Sequence, residues 1–558
     1  MKLSLATMNT DILIIGGGCA GSMAAIRAKE LAPDTSVCIM EKGHIKRSGS
    51  VTMGMDALNV VIVPGVSSVS QYLNILKRKC CDLVDEAPSR VLAERSFQIL
   101  KTLESWGVFF PKDDKGNYLL MQVDDEGRFC VGMDEPDLKL ILAKKLRESK
   151  TTVLNRTMVT KLLVYEDRVI GAIGLDINEG KLILCEAKSI ILANGSAGRF
   201  GLPNTGYLYG TFDFPGNAGD GFSLAFRSGV KITGMEYTLR YPLIKDLSIP
   251  LLNIVLTRGA KVINNRGEVV ADQSRASVHR LIEEVDKGDG PFFIQMSHLS
   301  KAKICEIENV LFSTERPMQR RYWELKKMKF NRDLIELHPT EAQLCGGHGL
   351  SGVVINEFAE TNIRGLFAAG DVSSVPMQHL TGAFVFGNVA AESAVKFIES
   401  AGNQKIPEKY LEEQFNFETK RIIGITNRVD NFIDNTQYEY KVRRVINEYL
   451  LSPKNAVSLN KGLGLILELR EQLPLYLRVR SLHELCKALE LEYILDCAQM
   501  SAIASLTRQE SRWGSIHKRS DFPNTDNENW LKHIDIQIGE DHSDIKVTFR
   551  SVQKEGRA

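Results

Sequence analysis

Charge of one sign is what this 558-residue chain most plainly lacks: 70 Lys and Arg stand against 69 Asp and Glu, a formal net charge of +1. It therefore carries no basic footprint for a nucleic-acid backbone or an anionic lipid surface, and no nucleic-acid partner is expected. Long apolar runs are missing too. None reaches the roughly 18 uncharged residues of a spanning helix, Met1 to Met8 is too short for a secretory signal, and no transmembrane segment and a cytoplasmic location are expected. The ten cysteines are scattered, and the absence of a C-x-x-C ladder argues against a zinc site or an iron–sulfur cluster held by this chain; no metal ligands are expected. Internal repeats are absent. What remains, 44% hydrophobic and 25% charged, is an ordinary globular composition with room for roughly two to four domains.

The run Asp11 to Glu41 organises the rest. Its pattern is an apolar β-branched strand, a glycine turn, an Ala-rich helix and a second apolar strand ending on an acid. Gly16, Gly18 and Gly21 fit G-x-G-x-x-G: the first permits the tight turn, the second lets backbone approach a pyrophosphate, and the third lets helix and strand pack closely. The helix N-terminus then offers unpaired N–H groups to phosphate. Glu41 stands where a carboxylate accepts from a ribose hydroxyl. A glycine-rich turn alone is common, and it is the strand before, the helix after and the acid beyond that point to an adenine dinucleotide site.

Lys42 to Asn59 follows as a basic, glycine-rich loop. Lys42, Arg47, Ser48 and Gly49 are its candidate cofactor contacts, against the alternative of a solvated loop. Residues from Val69 to Gly107 read as helical, and Val159 to Leu175 as a hairpin turning at Glu166-Asp167. Lys181 to Ala193 is a strand that runs into a glycine turn at Asn194 and Gly195, again implying close approach of backbone to a ligand. Asn217 to Gly221 opens a helix with Asp220 in its first turn. The composition turns irregular and more charged from Met235 to about Arg332, as suits an inserted domain. Sheet character returns at Gly365 to Asp371, where Gly370 and Asp371 end a strand before a helix over Gly382 to Ser400. Tyr410 to Arg508 carries helical periodicity, and a polar, aromatic tail follows.

The order GGGCAG, RSGSVTMGMDALN, IILANGSAG, NAGDG, GLFAAGD, a helical stretch, then ESRWGSIHKRSDFPNTDNENWLKH resembles the fumarate reductase and succinate dehydrogenase flavoprotein superfamily, with the nearest likeness to the alpha subunits of adenylylsulfate reductases. The resemblance spans nearly the whole chain. It implies an α/β fold: a non-contiguous Rossmann-like FAD-binding domain (1–234 and 346–403), an inserted α+β capping domain that takes the substrate (235–345), a C-terminal helical domain (404–508) and a tail (509–558). It implies FAD, with Gly16, Gly18, Gly21 and Glu41 on its ADP half and Gly195, Asp220 and Asp371 completing the site. Where covalent members carry a histidine this chain has Gly49, so the FAD is expected to be non-covalent.

Asn59, His348 and Phe384 resemble the residues that the superfamily sets near the flavin ring and the small-molecule substrate. His348 also sits in a glycine-rich turn rather than on an apolar face. The dicarboxylate members carry His-Pro-Thr-Gly shortly after a Met-Glu pair, where this chain reads Met235-Glu236-Tyr237-Thr238-Leu239-Arg240-Tyr241-Pro242, and Gly-Ala-Asn-Arg-Leu where it has Gly382-Ala383-Phe384; a C4 dianion buried without those partners is disfavoured. Arg240 is a substitute anion ligand. Arg275 or Arg280, within Gln273 to Arg280, stands near the acid of fumarate reduction, each weighed against a helix-surface charge. Phe212 and Leu243 fall near the positions that hold nucleotide in adenylylsulfate reductases. Flavin chemistry, by hydride transfer or by a sulfur nucleophile at N5, would then exchange electrons with a ferredoxin-like iron–sulfur beta subunit. A non-catalytic FAD-binding redox sensor and an oxidase like L-aspartate oxidase are the competing readings.

Overall fold

The structure is a computed structural model, described here for residues 3–53, 57–121, 129–133, 137–203, 213–245, 252–256, 258–272, 278–309, 311–312, 317–400, 402, 406–541 and 544–552. Its main sheet has seven strands: β1 (Ser4–Ile15), β2 (Val37–Glu41), β3 (Thr152–Asn155), β4 (Thr157–Tyr165), β5 (Arg168–Asp176), β6 (Lys181–Leu192) and β7 (Leu366–Ala368). The order is β3-β2-β1-β6-β5-β4, and β7 pairs with the far half of β6. β1 runs parallel to both β2 and β6, with Ile15 opposite Met40 and Leu192. Ile12 to Ile15 are at most 2% exposed, because a central parallel strand is covered on both faces. β4, β5 and β6 form an antiparallel meander, and its first turn carries Glu166 at φ +57°.

Helix α1 (Cys19–Leu31) follows the first strand, α2 is Leu138–Glu148 and α3 is Asp220–Arg227. Helix α4 (His379–Ser400) returns from far along the chain to pack on α1. A side chain at Gly387 would meet the Ala20 carbonyl oxygen at 2.6 Å, so the small residues are what bring these two helices together. A five-stranded antiparallel sheet lies between the two parts of the main sheet in sequence, built from 242–244, 335–339, 292–295, 261–263 and 269–271. It owns a separate apolar core that includes Val262, Phe292, Ile294, Trp323 and Leu337. Helices α5 (Glu408–Thr426), α6 (Asn435–Tyr449), α7 (Ala456–Tyr476) and α8 (Leu482–Thr507) follow. α8 is buried over most of its length, as expected of a helix apolar nearly all round. The C-terminal stretch is more ordered than a polar tail: strands 532–538 and 545–551 form a hairpin on 232–233. Among the described residues no helix is long and apolar enough to cross a membrane.

Candidate functional site

The glycine turn between β1 and α1 is held by contacts that only glycine permits. Gly16 has φ +102°, and a Cβ there would lie 2.4 Å from the Ala193 carbonyl oxygen, while one on Gly21 would lie 1.9 Å from the Gly16 carbonyl oxygen. Gly18 has open space where its side chain would be. That space faces a cleft lined at this end by Gly16 to Ala20. The N-terminus of α1 has no side-chain cap, leaving its first N–H groups available to a ligand. Glu41 ends β2 with both oxygens on backbone: Oε2 accepts from Gly17 N at 2.7 Å and Oε1 from Gly43 N at 2.6 Å. The buried Lys139 of α2 donates to the Gly17 carbonyl from behind the turn.

Three more segments close the cleft. Asn194 and Gly195 come from the end of β6, and Gly195 has φ +78°. The Asn194 Oδ1 is buried without a hydrogen-bond partner among the described residues, and an orphaned acceptor in a cleft wall is a position for a ligand donor. Asp220, first residue of α3, shares the Lys42 ammonium with Glu490 of α8, at 2.7 and 3.0 Å. Gly370 and Asp371 follow β7. Burial, with Asp213 nearby, pushes the Asp371 carboxyl up to about 8, so at neutral pH it is a hydrogen-bond donor. Asp213 itself accepts from Ser50, from Ser196 and from the Phe214 N–H.

His348, His379 and Asn59 also line this cleft. His348 Nδ1 lies 3.2 Å from His379 Nδ1, and the Tyr241 ring stands edge-on to His348 with centroids 5.7 Å apart. Burial lowers the His348 pKa, partly opposed by Asp213. The His379 pKa is held well below the ordinary value by burial, then by His348 and Lys79.

Of the residues singled out in the sequence, the structure brings Gly16, Gly18, Glu41, Lys42, Gly49, Asn59, Asn194, Gly195, Asp220, His348, Gly370 and Asp371 to one cleft. Others it places elsewhere. Gly21 packs under the turn. Arg47 is exposed and off the cleft, in the manner of a solvated loop. Ser48 is buried, and its Oγ donates to the His44 carbonyl at 2.9 Å, closing the loop on itself. Phe384 is fully buried and does not line the cleft; His379, Leu380 and Ala383 of α4 do, and Phe384 is turned about 100° on from Ala383 into the core. Arg240 is half-buried outside the lining, next to Tyr241, and Leu243 is buried in the strand 242–244. Arg275 and Phe212 lie outside the described residues, as does the side chain of Arg280, whose backbone is in the helix Val278–Asp286. Sequence reasoning passed over His379, Asp213 and Lys139. A lone acid in Phe-Asp-Phe-Pro and a lysine in a basic amphipathic helix carry no local mark, but His379 does stand three residues before a Gly-Ala pair already singled out.

Two protein families match the chain: the FAD binding domain family over residues 11–383 and the fumarate reductase flavoprotein C-terminal family over 439–557. Among curated proteins, an uncharacterized FAD-dependent oxidoreductase of Methanocaldococcus jannaschii is 27% identical over 557 residues, covering 95% of this chain and 96% of that one. One of the subunits of the fumarate reductase (CoM/CoB) of Methanothermobacter marburgensis is 28% identical over 581 residues, covering 94% and 96%. Among solved structures, adenylylsulfate reductase of Archaeoglobus fulgidus has the same fold, with a TM-score of 0.89 over 99% of this chain and 97% of that one at 22% identity.

Proposed function

The chain belongs to the FAD-dependent flavoprotein oxidoreductase family that includes the fumarate reductases, and from that premise we propose that it is the flavoprotein subunit of a reductase complex. It would oxidise or reduce a small substrate in this cleft and exchange electrons with an iron–sulfur partner subunit. Its relatives are named as subunits, which supports the partner. Bound FAD supplies the two-electron redox centre that also exchanges single electrons.

The observation that carries the cofactor assignment is the orphaned Asn194 Oδ1 in the wall of the cleft. The glycine turn and the N-terminus of α1 would hold the pyrophosphate, Glu41 the ribose, and Asn194 and the neutral Asp371 the groups between. Gly49, with φ +90° and Gly18 Cα 3.2 Å from where a side chain would begin, leaves nothing to bond to the cofactor, in keeping with non-covalent FAD. Asn59 and His348 would face the substrate.

Among the described lining residues the cationic side chain is Lys42, and its ammonium is already committed to Asp220 and Glu490. Glu236 of the Met-Glu pair is likewise committed, to Arg508 at 2.8 Å. This favours an uncharged or singly charged substrate, such as a small sulfur compound, over a dicarboxylate. The test is anaerobic stopped-flow reduction of the purified holoprotein by sulfite, a thiol and succinate. Rapid reduction by a sulfur donor supports the assignment. Uniformly slow reduction fits a redox sensor, and rapid reduction by succinate removes the substrate argument. Acid precipitation should leave a colourless pellet and a yellow supernatant.

A further inference from the structure

His379 has no part in the family resemblance, yet it is set into the cleft wall at some cost. It is the first residue of the 22-residue helix α4 and has φ +50°, a left-handed backbone that a non-glycine residue adopts only at a penalty. Met377, two residues earlier, has φ +48°. What holds the bend is a pair of backbone hydrogen bonds to the loop that carries His348: His379 N donates to the Gly347 carbonyl at 2.9 Å and Met377 N to the Gly349 carbonyl at 3.0 Å. The two imidazoles are thus fixed against each other, with centroids 5.0 Å apart, planes 69° apart and Nδ1 to Nδ1 3.2 Å.

Two nitrogens at that distance need one hydrogen between them. A neutral imidazole has one N–H and one lone pair. If His348 Nδ1 carries the shared hydrogen, then His348 Nε2 is an acceptor and His379 Nε2 a donor; moving the hydrogen to His379 inverts both. We propose that His379 is a positioning residue that fixes the tautomer of His348 through this shared hydrogen, making the pair a proton relay for the substrate end of the cleft. The balance closes without a change in charge. An N–H bond forms at Nε2 of one ring, the shared proton crosses from Nδ1 to Nδ1, and the Nε2–H bond of the other ring breaks to release a proton.

The surroundings keep the pair at one positive charge or fewer. The His348 ring has Asp213 and Tyr241 nearby, and the Cys345 sulfur accepts from the His348 backbone N–H at 3.4 Å. His379 feels Lys79 and stands at the positive end of α4, both of which oppose a charge on its ring. A doubly protonated pair with nitrogens 3.2 Å apart would be strongly repulsive.

The proposal rests on the reading of the cleft as a substrate site, but its first readout does not. In FAD-loaded protein carrying 15N-labelled histidine, ring-nitrogen NMR should show His348 and His379 as opposite neutral tautomers from pH 6 to 8, assigned with H348Q. H379L should release His348 to a mixed tautomer population, whereas H379N, which tolerates the left-handed backbone and keeps a polar atom near the Nδ1 position, should preserve one tautomer. Substrate-dependent flavin reduction should then slow about tenfold in H379L, an order below the roughly hundredfold minimum for a general acid or base, shift its pH profile, and recover in H379N. Visible FAD absorbance and the melting temperature report folding, and if H379L does not fold, wild-type rings found in the same neutral tautomer still overturn the proposal. A His348 tautomer that is the same in wild type, H379N and H379L overturns the proposal. Opposite tautomers in a protein that no donor reduces would leave the pairing standing and remove the reductase assignment.

Discussion

Asp371 offers a direct check on whether the cleft is built for a cofactor, because a ligand that covers its carboxyl in this water-poor space requires the proton to stay on. Its carboxyl is pushed up to about 8 by burial and by Asp213, against about 3.9 in an unfolded chain. The folded protein therefore keeps a proton that the unfolded chain loses near pH 4. Its contribution to stability is fully present below the unfolded value, declines as pH rises, and is gone above about 8. At 1.36 kcal/mol per unit, the roughly three units between 3.9 and neutral pH mean that up to about 4 kcal/mol of it is lost by pH 7, less whatever water in the cleft screens. D371N keeps a hydrogen-bond donor in the same place with no proton to lose, so it should be more stable than wild type at pH 7 and flatter in its dependence on pH.

The same reasoning reaches binding. FAD covering Asp371 must bury it neutral, so above pH 8 wild-type affinity should weaken by up to about tenfold per unit, or 1.4 kcal/mol. Below pH 7.5 it should be constant. Titrating apoprotein into FAD and following quenching of flavin fluorescence at pH 6, 7, 8 and 9 reads this directly, with D371N as the insensitive control. Parallel pH curves for wild type and D371N would refute the assignment of a neutral, ligand-facing carboxyl.

The glycine turn separates folding from binding. G21A should be insoluble or destabilised by several kcal/mol, since its Cβ would sit 1.9 Å from the Gly16 carbonyl oxygen; G18A should fold with a near wild-type melting temperature but bind FAD at least tenfold more weakly, because its methyl enters the cleft where a phosphate would approach. K42M leaves Asp220 buried without its cation and should cost about 3–5 kcal/mol in urea unfolding, as broken buried ion pairs do. K42M/D220N should recover much of that loss, and an unchanged urea midpoint in K42M would show that the contact contributes little.

The parts of the site that could be read from the sequence are those whose requirement is local. Gly16, Gly18 and Gly21 are dictated by a turn of six residues, and Gly195 and Gly370 by the step out of a parallel strand. The parallel strands themselves announced their burial by unbroken apolar runs. Phe384 shows where that kind of reading stops: the motif around it was visible, but which face of α4 meets the cleft depends on helix phase, and one residue's rotation moves it from wall to core. Arg47 was attractive for its charge, and only its placement on the outer side of the loop shows that nothing draws it inward. The strands at 532–538 and 545–551 could not be seen as structure because their neighbour, Ile232-Thr233, lies some 300 residues upstream. His379 was invisible for a related reason. A histidine at a helix start looks like any other until Gly347 and Gly349 bind the backbone beside it.

The buried charges add a constraint that no periodicity carries. Lys42 meets Asp220 and Glu490, Glu490 also meets Arg199 and Lys487, and Arg199 meets Glu439, which binds Arg443. Arg199, Arg443, Glu439 and Glu490 are all but fully buried. Buried ions are tolerated only when every partner is present, and here the partners come from the loop after β2, from α3 and from α6 and α8 of the helical region. The apolar stripes that mark α6 and α8 as packing helices therefore understate them: each also carries an acid that shares in pairing the buried cations Lys42 and Arg199. The helical region is thus tied electrostatically to the cleft through Lys42, the cation of this network that lines it.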